Sequence, residues 1–181
     1  SGTVSQLVNS SSGIHPRFSP YYVRTVRSDH KDPMAKYMVE AGFPVENDVH
    51  TPTNLVFSFP VASPKDAVCV PEVTAIEQLE LVKLYNEHWA EHKCSLTVYY
   101  SDDEFLDVCS WIWKHFDLIS GISLLPRSDH VYQQAPYQPI SKSEYQTLSK
   151  AMPEFNWEDL AHFEVEDNTS GSQTLACVGS S

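Results

Sequence analysis

The sequence predicts an α/β fold with a mobile C-terminal arm. Three observations carry that prediction. Helix-period and strand-period apolar patterns alternate over residues 71–163, two Ser-x-x-Glu boxes stand at helix starts there, and residues 164–181 hold almost nothing to bury. Residues 1–70 differ from both stretches, being rich in Ser, Pro and short apolar runs.

Taken in order, Tyr22 and Arg24 with the alternate Val23 and Val26 suit a helix or an edge strand. Pro71 suits a helix's first turn. Ile76, Leu79, Val82, Tyr85 and Trp89 then recur at three- and four-residue spacing, an amphipathic helix of about five turns. Ser95–Tyr100 reads as a strand with Leu96, Val98 and Tyr100 on one face. Ser101 and Glu104 form a capping box, and Phe105, Val108, Ile112 and Phe116 give the next helix a buried stripe. Gly121–Leu125 reads as a second strand, ended by Pro126, and Ser141 with Glu144 opens a third helix. Strand, helix, strand with short connections is a βαβ unit, so the two strands are expected to be parallel.

A length of 181 residues allows one domain or a large part of one. No apolar run approaches the roughly 20 residues of a membrane helix, and no basic segment precedes an apolar run at Ser1-Gly2-Thr3. The net charge of −12 argues against a general nucleic-acid surface. It is unevenly spread: residues 1–36 hold Arg17, Arg24, Arg27, Lys31 and Lys36 against Asp29 and Asp32. That basic end fits a small anion or a solvated surface equally well. Cys69, Cys94, Cys109 and Cys177 show no C-x-x-C spacing, which disfavours a zinc site and suits a reducing cytoplasm. The first three lie in apolar contexts and are expected to pack as small hydrophobes.

Candidate chemistry is sparse. Ser1-Gly2-Thr3-Val4-Ser5 offers a glycine and hydroxyls at a helix start, where backbone N–H groups and the helix dipole can hold phosphate. By itself the pattern is more often a capped helix start. His15 and Arg17 could contact an anion, although a His before Pro is commonly a plain loop element. Gln133, Gln134 and Tyr137 follow a strand end, where α/β proteins place ligands. Ser128-Asp129-His130 cannot form a nucleophilic relay by adjacency and reads as a turn. Cys177, on a polar arm, is reactive by access and could carry reducing equivalents by exchange, or be a chance tail cysteine.

Several segments match one family in the same order. Ser1-Gly2-Thr3-Val4-Ser5, Ser12-Gly13-Ile14-His15-Pro16-Arg17 and Tyr21-Tyr22-Val23-Arg24-Thr25-Val26-Arg27 resemble adenosylcobalamin-dependent (class II) ribonucleotide reductases. The likeness is strongest to the monomeric, triphosphate-reducing type. Cys94–Tyr100, Gly121-Ile122-Ser123 with Leu125-Pro126, Gln134-Ala135-Pro136-Tyr137, and Asp167-Asn168-Thr169 with Leu175-Ala176-Cys177 continue the series.

The resemblance implies the C-terminal portion of a ten-stranded α/β barrel, with residues 1–163 in the barrel domain and 164–181 as a truncated redox tail. It implies radical reduction of ribonucleotides initiated by adenosylcobalamin, with thioredoxin or a similar dithiol as reductant. Ser1, Gly2, Thr3, Val4 and Ser5 correspond to the loop that cradles substrate phosphates, and Cys177 to the first cysteine of the tail pair. That cysteine's partner falls beyond Ser181. The motifs bearing the radical cysteine lie upstream, so this chain is expected to need the N-terminal part and to be silent alone. A non-catalytic nucleotide-phosphate-binding module and a structural barrel piece are the alternatives. Both ends also fit an extein segment between intein sites, or ordinary truncation.

Overall fold

The computed structural model describes residues 2–127 and 133–164. In chain order they form α1 (Gly2–Leu7), β1 (Tyr21–Asp29), α2 (Pro33–Glu40), β2 (Val45–Asn47), β3 (Asn54–Ala62) and α3 (Ala75–His88). There follow β4 (Thr97–Tyr100), α4 (Phe105–Lys114), β5 (Ser123–Pro126), β6 (Tyr137–Pro139), α5 (Lys142–Ala151) and α6 (Trp157–Leu160). Contacts divide the chain into two compact units. The first draws its described residues from Ser1–Tyr22, Val61–Tyr132 and Pro139–Ser141, the second from Val23–Pro60, Gln133–Gln138 and Lys142–Ser181.

In the first unit, β4 and β5 pair in parallel from Thr97↔Ser123 to Tyr100↔Pro126, with α4 as the crossover. This is the expected βαβ unit. Its core is Ala75, Leu79, Val82, Leu96, Val98, Val108 and Trp111. Leu79, Val98 and Val108 are wholly buried, each worth about 1.5–3 kcal/mol against exposure. Two capping boxes set the helix starts. Thr74 accepts from the Glu77 N–H while the Glu77 carboxylate accepts from the Thr74 N–H, and Ser101 and Glu104 repeat the arrangement ahead of α4.

Glu104 also accepts the Ala75 N–H at 2.8 Å, so one carboxylate fastens the starts of two helices. Buried Gln78 extends the first unit's hydrogen bonding. Its amide donates to the carbonyls of Thr74 and Tyr99 and accepts the Tyr99 N–H, as a neighbouring strand would.

In the second unit, Asp32 caps α2 through the Met34 N–H with Pro33 in the first turn. Gly42 ends the helix at φ 81°, where the Phe43 N–H reaches back to the Met38 carbonyl. The core gathers Ala35, Tyr37, Met38, Phe43, Phe57 and Leu160. The four-stranded sheet runs β2-β3-β1-β6, with β2 antiparallel to β3.

Several expectations are corrected. Pro71 lies in a separate short 3-10 turn, and the helix begins later because Thr74, not Pro71, supplies the cap. Trp89 is 84% exposed just past the end of α3. On α4 the buried residues are Val108 and Trp111, while Phe105 and Phe116 are 46% and 69% exposed. β1 is no edge strand, since it has β3 on one side and β6 on the other. Cys69 is buried and Cys94 half-buried, but Cys109 is exposed. The α/β class itself stands: helices accompany a two-stranded and a four-stranded sheet, an open arrangement as expected of a portion of a barrel rather than a closed one. The tail from residue 165 lies outside them. No described helix is long and apolar enough to cross a membrane.

Candidate functional site

α1 starts at Gly2, so the N–H groups of residues 2–4 lie in its first turn, ahead of the helix's own hydrogen-bond ladder. Of the sequence-predicted loop, Ser1 lies outside the described residues. Val4 is exposed and Ser5 buried. The far end of the helix is closed by Asn9 at φ 49°, which lets the Ser10 N–H reach the Ser5 carbonyl at 2.8 Å. This is a left-handed helix stop with asparagine where glycine is more usual.

Arg17 holds that stop. Its guanidinium donates to the Asn9 side-chain oxygen at 3.0 Å and the Ser10 carbonyl at 3.1 Å. It also donates to the Tyr22 hydroxyl at 3.2 Å and the Ser63 hydroxyl at 3.4 Å. Arg17 is 6% exposed, and the ion pairs among the described residues do not include it. Its backbone is fixed as well: the Arg17 N–H donates to Val68 and the Val70 N–H to Arg17, a parallel bridge to Cys69. The expectation that Arg17 meets an anion directly is therefore not what its described contacts show. They are neutral oxygens of the protein.

A cleft of ≈ 360 Å³ opens beside these residues, with Gly13, His15, Arg17, Gln78 and Tyr85 in its lining. His15 Nδ1 is 2.6 Å from the Ser12 carbonyl, a loop-fastening contact. Gly13 sits at φ 54°, and a Cβ there would fall 2.3 Å from the Ser95 carbonyl oxygen. The Ile14 N–H donates to that same oxygen at 3.0 Å.

In the second unit, Gln134 has φ 57° and is buried. Its amide donates to Glu46 and to the Asn47 carbonyl and accepts the Val49 N–H. Its own carbonyl accepts from Arg27, which pairs with Asp48 at 3.0 Å. The His50 N–H holds the Asp48 carboxyl below the usual carboxylate range against the upward push of burial, with Thr51 and Arg27 assisting. Gln134 is thus committed to holding its loop. Tyr137 lies beneath the Arg24 guanidinium at 5.8 Å.

Burial pushes the Cys69 and Cys94 thiols up, which makes them poor nucleophiles. Ser128, Asp129, His130 and Cys177 lie outside the described residues. Among those described, no three His, Cys, Asp or Glu side chains gather as metal ligands. The described residues offer no assembled nucleophile. Arg17 and Gln78, the two buried polar residues that organise this unit, carry no local sequence signal of burial.

No family model matches the chain. It is 29% identical over 170 residues to a probable adenosylcobalamin-dependent ribonucleoside-triphosphate reductase of Dictyostelium discoideum, covering 92% of this chain and 22% of that protein. It is also 29% identical over 157 residues to the adenosylcobalamin-dependent ribonucleoside-triphosphate reductase of Euglena gracilis, with 85% and 22% covered. The solved structure of a B-12 dependent (class II) ribonucleotide reductase superposes with a TM-score of 0.74 at 25% identity, over 98% of this chain and 24% of that one. The chain spans about a fifth of the length of the curated relatives it matches. Over the fraction that it spans, the chain is similar in sequence and in backbone to adenosylcobalamin-dependent, class II ribonucleotide reductases.

Proposed function

We propose that this chain is part of an adenosylcobalamin-dependent ribonucleoside-triphosphate reductase, and that it contributes the substrate-phosphate loop and a tail redox cysteine. The observation that carries the reading is the likeness to the class II enzyme over 98% of the chain. The start of α1 at Gly2, within the matching Ser1–Ser5 segment, supports the first role. In this reading the N–H groups of residues 2–4, with the hydroxyls of Ser1, Thr3 and Ser5, hold the triphosphate at the positive end of the helix. Residues 1–163 belong to one barrel domain completed by the N-terminal part of the reductase. Cys177, on the tail, exchanges with the active-site disulfide and is itself renewed by thioredoxin or a similar dithiol in the cytoplasm.

Adenosylcobalamin in the complete enzyme supplies the initiating radical chemistry. The cleft beside Arg17, at ≈ 360 Å³, is near the small end of ligand sites and does not fit a corrinoid. No residue of this chain is assigned to the cofactor.

The test uses the full-length reductase. Thr3→Val should weaken ribonucleotide binding by about 1.5–3 kcal/mol, the range for a hydrogen bond to a charged group. Cys177→Ser should abolish turnover driven by thioredoxin and largely spare turnover driven by a small dithiol, which can reach the active site directly. Unchanged substrate affinity removes the phosphate role. Equal loss with both reductants, or loss with neither, removes the shuttle role.

A further inference from the structure

We draw no further inference here: the strongest candidate, the cleft of the first unit lined by His15, Arg17, Gln78 and Tyr85, carries nothing, because the buried Arg17 guanidinium spends its described hydrogen bonds on Asn9, Ser10, Tyr22 and Ser63, none of which lines the cleft, and nothing in the structure shows what covers it.

Discussion

Replacing Glu104 by alanine tests how the first unit is held together. The carboxylate accepts the Ala75 N–H at 2.8 Å and the Ser101 N–H and hydroxyl at 2.9 Å each. Ala75 is wholly buried, so its N–H loses a charged acceptor that water cannot readily replace. That bond is worth about 1.5–3 kcal/mol, and the Ser101 cap about 1 kcal/mol more. A loss of roughly 2.5–4 kcal/mol should lower the melting temperature by about 5–16 °C for a chain of this size. Urea unfolding followed by tryptophan fluorescence reads it well, because Trp111 lies in this core.

Glu104→Gln supplies the pH dependence. Burial alone would raise the Glu104 carboxyl, but the N–H groups of Ala75 and Ser101, with the Ser101 hydroxyl and the Arg127 charge, bring it below the usual value. A depressed folded pKa gives stability above the unfolded value, about 4.3, that is lost as pH falls through the folded one. The gap between parent and Glu104→Gln should therefore be full at pH 7 and shrink below about pH 4. A loss under about 1 kcal/mol for Glu104→Ala, or a gap that widens on acidification, would refute the account.

Gln78→Leu removes three hydrogen bonds while keeping a similar volume, and should cost about 2–4 kcal/mol in urea unfolding. Near-parent stability would show that water replaces the amide. In the second unit, Asp48→Asn should destabilise the chain at pH 7, and the difference should close below about pH 4, because the native carboxyl is held low. Persistence of the full difference at pH 3 would locate the effect in shape rather than charge.

Local signals gave the local elements. The Ser101–Glu104 box and the alternation at Leu96 and Val98 are encoded within a few residues, and both survive in the structure. The parallel pairing followed from topology rather than from any residue. What failed was the choice among neighbouring candidates. Thr74 outranked Pro71 as a helix start because a reciprocal box with Glu77 satisfies two groups, whereas Pro71 only fixes a backbone angle. Trp111 displaced Phe105 and Phe116 from the buried face because its indole N–H reaches Glu80 across to α3 at 2.5 Å, a partner the stripe alone does not reveal. Arg17 and Gln78 were illegible for the same reason: their acceptors are residues 9, 10, 22 and 63 in one case and 74 and 99 in the other.

The close approach of Gly13 to Ser95 also orders events in time. The loop that leads away from α1 rests on a carbonyl 82 positions later, and Arg17 on a bridge to Cys69. A chain made from its N-terminus, at roughly 5–20 residues per second, would wait about 4–16 s between emergence of the loop and emergence of its support. Loop closure over such a span is slow to recover its entropy. The loop after α1 is thus made well before the residues it rests on, and reaches its native shape only after Cys69 and Ser95 have emerged.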